Sequence, residues 1–163
     1  MKEPTVSRRI LVVGLGNPLS GDDGFGAHVL ELLHQNGTGL LPGVSLADAH
    51  TDLLNHIEDF AQYDCVVLID AILDPEGKLG RWGRVLAFKE EVFLSWADIS
   101  QDIHKLSPLL AVKLFRLLHP GAQTQIALAG LLVDHIDQAP CYLTAESVAE
   151  GAAAVQSLLG NFS

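Results

Sequence analysis

Apolar and polar residues alternate along the chain in blocks that predict strands and helices in turn. Short, continuous apolar runs are typical of strands buried on both faces, and the clearest are residues 10–14 and 65–69. Three further strands are predicted at residues 44–47, 84–88 and Gln125–Val133. A mostly looped stretch with one short helix is expected at residues 89–103.

Between these strands, apolar residues recur at helical spacing, which predicts four helices. Three have an N-cap signal, namely Thr51, Ser107 followed by Pro108, and Thr144. The predicted core-facing residues are, in order, Phe25, Val29, Leu32 and Leu33; Leu53, Leu54, Ile57, Phe60 and Ala61; Leu110, Leu114, Leu117 and Leu118; and Val148, Ala152, Val155, Leu158 and Leu159.

This alternation predicts an α/β fold: a three-layer single domain with a mostly parallel twisted sheet of about five strands and helices on both faces. A hairpin-like step at residues 76–80 favours one antiparallel strand. We expect one domain over residues 1–163, with residues 1–9 flexible.

Composition narrows the functional classes. Apolar residues make up 48% of the 163 and charged residues 18%, which suits a packed core, and no apolar run approaches the about 18 residues of a membrane span. The net charge of -10 argues against a nucleic-acid partner. The two cysteines form no C-x-x-C pair, so both are interpreted as reduced structural thiols of a cytosolic protein.

Polar residues follow three predicted strands, where ligands bind in open parallel sheets. Asp22 and Asp23 follow the first strand, residues 48–50 (Asp-Ala-His) end the second, and Asp70 ends the third. A plain structural role is open for each: the acid pair can stabilise a helix start, and Asp70 can accept backbone hydrogen bonds in a turn. One acid suffices as a cap, which leaves the second available to the strand ends.

A metal site is the alternative for these carboxylates. His104 lies three residues before the Ser107 cap, where a nearby helix N-terminus favours the neutral imidazole that binds metal. Two carboxylates and one imidazole suit a divalent ion with open positions. His50 is a second candidate imidazole, and an ordinary loop role stays open for His104.

A dinucleotide site is less well supported. Gly14 and Gly16 fit the start of the glycine fingerprint, but Leu19 stands where the third glycine belongs. Two acids at the helix start would also repel a pyrophosphate.

The stretch 10–26, ILVVGLGNPLSGDDGFG, resembles the opening of the hydrogenase maturation endopeptidases, a strand followed by G-x-G-N-x-L-x-x-D-[DE]-x-x-G. Asp70 in CVVLIDAI resembles the family's second carboxylate, and His104 in His-Lys-Leu-Ser resembles its loop histidine. Gly130 matches a further glycine position less specifically. The resemblance covers about residues 10 to 135.

The resemblance implies that Asp23, Asp70 and His104 are nickel ligands and carry the catalysis. It implies an endopeptidase that removes the C-terminal extension from the nickel-loaded large-subunit precursor of a [NiFe]-hydrogenase. Nickel would be supplied by the precursor and not held tightly by the free protein. Asp23 replaces the Glu of many relatives, and residues 48–51 replace their Asp-Gly-Gly-Thr, which leaves the choice of hydrogenase open.

Two other readings remain open. A nickel-centre chaperone would use the same three ligands without cleaving the precursor. Peptidyl-tRNA hydrolases share the Gly-Leu-Gly-Asn-Pro of residues 14–18, but their basic surface for tRNA contrasts with the charge of -10 here.

Overall fold

The computed structural model describes residues 7–96 and 107–162. The predicted looped stretch therefore falls partly outside the described residues, and residues 1–6 of the expected flexible start do so too. The strands are β1 (Ile10–Leu15), β2 (Val44–His50), β3 (Cys65–Leu73), β4 (Val85–Lys89) and β5 (Gln125–Val133). The helices are α1 (Phe25–Gln35), α2 (Glu90–Phe93), α3 (Pro108–Leu118) and α4 (Ala145–Phe162), with 3₁₀ turns at Gly21–Gly24, Thr38–Leu40 and Leu53–Gln62.

The five strands form one sheet in the order β2-β1-β3-β5-β4. Every pairing among β1, β2, β3 and β5 is parallel, and β4 runs antiparallel to β5. The predicted mostly parallel sheet is confirmed, as is the one antiparallel strand. That strand pairs with β5, which lies between it and β3, so the step at residues 76–80 passes the end of β5, and β3 and β4 form no hairpin.

Helices cover both faces of the sheet, so the fold has three layers. Alternate residues of the central strands point to opposite faces, and each face has its own buried cluster. One face packs against Leu53–Gln62, α2 and α3, through Phe60, Phe93 and Phe115 among others. The other packs against α1 and α4, through Phe25 and Val155 among others.

The predicted caps are confirmed for two helices. The Ser107 hydroxyl accepts a hydrogen bond from the Leu110 backbone N–H, with Pro108 at the first helical position. Thr144 and Ser147 cap α4 reciprocally, since each side-chain oxygen accepts a hydrogen bond from the other's backbone N–H. The predicted cap at Thr51 is wrong, because Leu53–Gln62 is a 3₁₀ helix that begins after Asp52 and has no side-chain cap bond.

The predicted core face of α3 is wrong at three of its four positions, and only Leu114 packs against the core. Leu110, Leu117 and Leu118 are exposed, and the buried residues of α3 are Leu109, Ala111, Val112 and Phe115. Both sets recur at helical spacing, so periodicity alone does not choose between them. The face with the aromatic ring packs inward, where Phe115 meets Phe60 edge-on at a centroid distance of 5.6 Å.

Within the described residues, none of the helices combines the length and the apolar character that crossing a membrane requires.

Candidate functional site

The candidate site lies at the carboxyl end of β1 and at the neighbouring part of β3, where its pairing with β1 ends. The chain leaves β1 through α1 on one face of the sheet, and it reaches β3 through Leu53–Gln62 on the other face. β1 therefore has β2 on one side and β3 on the other, and the connections diverge between them. In parallel sheets, a crevice opens at such a divergence and is the usual place for a ligand.

Glycines allow three segments to meet at this crevice. A Cβ on Gly16, whose φ is +92°, would lie 1.9 Å from the backbone oxygen of Asp23. A Cβ on Gly26 would lie 2.3 Å from the oxygen of Leu15 and 2.4 Å from that of Ile69. The glycines after β1 are thus explained by close packing of the α1 start against β1 and β3, without a bound nucleotide.

Asp23 faces back towards the turn after β1. It lies in the 3₁₀ turn Gly21–Gly24, where it is 6% exposed. Its Oδ2 accepts a hydrogen bond of 2.9 Å from the Asn17 backbone N–H, which ties the carboxylate to the glycine-rich turn. The carboxyl group is therefore held at the end of β1, where the sequence predicted one.

Asp22 has a different, structural role. Its Oδ1 accepts hydrogen bonds from three successive backbone N–H groups, those of Cys141, Tyr142 and Leu143, at 3.0, 2.8 and 2.7 Å. Asp22 is 1% exposed. The N-cap residues of Gly21–Gly24 and α1 are Ser20 and Gly24, which form no side-chain cap bond, and both acids lie in the first turn of Gly21–Gly24, where negative charge is favourable. One acid anchors a distant loop and its neighbour faces the strand ends.

Asp70 lies inside β3, not at its end as predicted. β5 continues beside β3 through the pair of Leu73 with Val133, which extends the strand by three residues. The last pair of β3 with β1 is Ile69 with Gly14, so Asp70 is the first residue of β3 beyond that pairing. The half-buried carboxylate accepts a hydrogen bond at Oδ1 from the Ala71 N–H at 2.9 Å.

Side chains alternate between the two faces along β3, so Asp70 lies on the same face as Val66, Leu68 and Ile72. This is the face that α3 covers. Its partner in β5 is Gly130, where a Cβ would lie 2.0 Å from the Ile72 Cδ1. Gly130 therefore makes room for Ile72 beside the candidate carboxylate.

His104 lies outside the described residues, so its predicted role stays a prediction. What is described is the start of α3 at Ser107, three residues later, on the same sheet face as Asp70. Within residues 7–96 and 107–162, histidine, cysteine and acidic side chains form no group of three or more suited to a metal ion.

His50 stands in a strained position at the same edge of the sheet. Its φ is +48°, and among the described residues no other non-glycine residue has a left-handed backbone. Its carbonyl accepts the Gly16 N–H at 2.7 Å, and its Nδ1 lies 3.3 Å from Asp48 Oδ1. The pairing of β1 with β2 shifts register here, because Leu15 pairs with His50 and not with Ala49.

Replacing His50 with glycine is expected to raise the free energy of unfolding by about 0.5–1 kcal/mol, because a left-handed backbone favours glycine. His34, an exposed residue of α1, is the matched control. Glycine there should lower the free energy by about 1 kcal/mol, since it is a poor helix former. Urea unfolding of both variants measures the difference, and a destabilised His50→Gly protein would show that the imidazole contacts outweigh the strain.

Known proteins resemble this chain in part of its sequence and in its fold. No family model matches the chain. A segment of 66 residues, 40% of the chain, is 36% identical to the hydrogenase expression/formation protein HupM of Azotobacter chroococcum, and this segment spans 31% of that relative's length. The curated relative is thus matched over about a third of its length.

Solved structures match nearly the whole chain. The hydrogenase maturating endopeptidase HybD from E. coli superposes with a TM-score of 0.71 at 22% identity, over 94% of this chain and 91% of that one. A hydrogenase 2 maturation peptidase from a Thaumarchaeota archaeon gives 0.59 at 26% identity, over 95% and 98%. The predicted fold class and the predicted resemblance to hydrogenase maturation proteases are both confirmed.

Proposed function

We propose that this chain is a hydrogenase maturation endopeptidase, which removes the C-terminal extension from the nickel-loaded large-subunit precursor of a [NiFe]-hydrogenase. The observation that carries the proposal is the placement of two acids. Asp23 is bound to the turn after β1, and Asp70 lies within the neighbouring strand β3. Both are at the divergence between β1 and β3, in a fold shared with hydrogenase maturation proteases. The precursor is the proposed partner.

Nickel enters this proposal as part of the substrate. Two carboxylates and the imidazole of His104 form a mixed oxygen and nitrogen donor set, which suits a borderline divalent ion. Three protein ligands leave coordination positions open for groups of the precursor. The protease would therefore recognise a precursor whose metal centre is already filled.

The chemistry needed is hydrolysis of one peptide bond. Water adds to the scissile carbonyl carbon, the C–N bond breaks, and the leaving amine takes up a proton. A metal ion beside the bond polarises the carbonyl and makes a bound water more acidic. Asp23 or Asp70 can accept the proton that water loses, provided that it lies within hydrogen-bond reach.

The test is to incubate the purified protein with matched nickel-loaded and nickel-free precursors and to follow the precursor's mass. We expect loss of a C-terminal peptide from the nickel-loaded form alone. A precursor that already lacks its extension serves as the control and should keep its mass.

Two outcomes would contradict the proposal. Stable binding of the nickel-loaded precursor without any change in mass would indicate the chaperone function. Equal cleavage of both precursors would show that the protein is a protease that does not depend on nickel to recognise its substrate.

A further inference from the structure

A second cluster of reactive side chains lies on the loop between β5 and α4. His135 Nδ1 is 2.7 Å from Asp134 Oδ1, and His135 Nε2 is 3.8 Å from Cys141 Sγ. Cys141 and His135 are both exposed. The interpretation of both cysteines as structural thiols therefore fits the buried Cys65 but not Cys141.

The fold holds this loop in place before any ligand arrives. Asp22 binds the backbone N–H groups of residues 141–143. Gly21 lies so close to the loop that a Cβ there would be 2.3 Å from the oxygen of Asp137. The loop leaves from the carboxyl end of β5, at the same edge of the sheet as Asp23 and Asp70.

Asp134 fixes the orientation of the imidazole. The side chain of Asp134 has an exposed fraction of 28%, and its carboxylate lies against the ring at Nδ1, at 2.7 Å. A carboxylate at Nδ1 makes that nitrogen the donor, which leaves the Nε2 lone pair of a neutral ring facing Cys141. Histidines that bind metals are commonly oriented by a carboxylate in this way.

The separation of the two ligand atoms suits a shared metal ion. Zinc–sulfur and zinc–nitrogen bonds of about 2.3 and 2.0–2.1 Å at a tetrahedral angle place the two atoms about 3.6 Å apart. The distance of 3.8 Å between Cys141 Sγ and His135 Nε2 is close to this value.

A Cys-His-Asp array also suggests a catalytic nucleophile, but the surroundings do not suit one. Acyl transfer needs backbone N–H donors that stabilise an oxyanion beside the thiol. The N–H groups of Cys141, Tyr142 and Leu143 all donate to Asp22.

We propose that Cys141 and His135 form a two-ligand site for a thiophilic divalent cation such as Zn²⁺ or Ni²⁺, with Asp134 as the positioning residue. Water or another molecule completes the coordination. The site is distinct from Asp23 and Asp70 and does not depend on the proteolytic function. With two protein ligands, it holds the ion more weakly than a closed four-ligand site does.

Cobalt is the probe for this site, because Co²⁺ bound to a thiolate gives a charge-transfer band in the near ultraviolet. Titrating the reduced full-length protein with Co²⁺ should produce this band with a stoichiometry of one. Cys141→Ser should abolish it, and His135→Gln should weaken cobalt binding at least about 10-fold. Asp134→Asn should weaken binding about 10- to 100-fold, the usual effect of losing a ligand's carboxylate partner.

Matched controls separate this site from others. Cys65→Ala removes the buried thiol, and His119→Gln removes an imidazole that has its own carboxylate neighbour, Glu58, at 3.1 Å. Both should leave the band unchanged, as should the double variant Asp23→Asn with Asp70→Asn. Circular dichroism confirms that each variant is folded. A missing band in the unmodified protein, or a band that survives Cys141→Ser, would overturn the proposal.

Discussion

Replacing Asp70 with asparagine should slow processing of the nickel-loaded precursor at least about 100-fold, while the protein stays folded. The expected loss is large because even the second-sphere partners of metal ligands are worth about 10- to 100-fold. Asparagine keeps the size of the side chain and an oxygen that can accept the Ala71 N–H, so β3 should be unaffected. The rate is measured from the precursor's mass over time.

Asp23→Asn should show the same loss, since its amide oxygen can still accept the Asn17 N–H. Asp48→Asn is the matched control, because Asp48 lies at the same edge of the sheet but is assigned to the His50 turn. That control should stay within about threefold of the unmodified protein. An Asp70→Asn protein that keeps more than a tenth of the rate would contradict the role given to this carboxylate.

Replacing Asp22 with alanine should lower the free energy of unfolding by about 3–5 kcal/mol, the largest stability effect that we expect. The change leaves three backbone N–H groups, those of residues 141–143, without their acceptor. Each unsatisfied buried donor costs about 1–3 kcal/mol, and partial access of water to this loop reduces the sum. Urea unfolding followed by circular dichroism measures the loss.

Asp22→Asn should be milder, at about 1–2 kcal/mol, because an amide oxygen still accepts these bonds without the charge. Asp59→Ala, at an exposed site, should change stability by less than about 0.5 kcal/mol. The two adjacent acids should therefore affect different properties: Asp22 variants lose stability, whereas Asp23→Asn loses activity. A loss below 1 kcal/mol for Asp22→Ala would mean that water replaces the carboxylate.

The fold was predictable from sequence where the residue pattern is compatible with only one kind of secondary structure. The central strands β1, β3 and β5 are continuous apolar runs, and only a strand covered on both faces suits them. The core face of α3 was not predictable, because leucines lie on both sides of that helix. The end of β3 was missed because the pairing of Leu73 with Val133 extends it, and register is not visible in a single strand.

The site was predictable in part for a similar reason. Acids after apolar strands indicated one edge of the sheet as the candidate site, and the structure places Asp23 and Asp70 at that edge. The sequence did not show which of Asp22 and Asp23 is structural, because the groups that distinguish them are 119–121 residues further along the chain. The pairing of His135 with Cys141 was missed because no metal-binding spacing signals it.

The long reach of Asp22 also has a consequence in time. At about 5–20 residues per second, a ribosome makes the N–H partners of Asp22 roughly 6 to 24 s after Asp22 itself. During that interval, β1 and β3 can already pair while the carboxylate of Asp22 stays hydrated. The edge of the sheet that carries Asp23 and Asp70 therefore becomes complete only late in synthesis, well after β1 and β3 have been made.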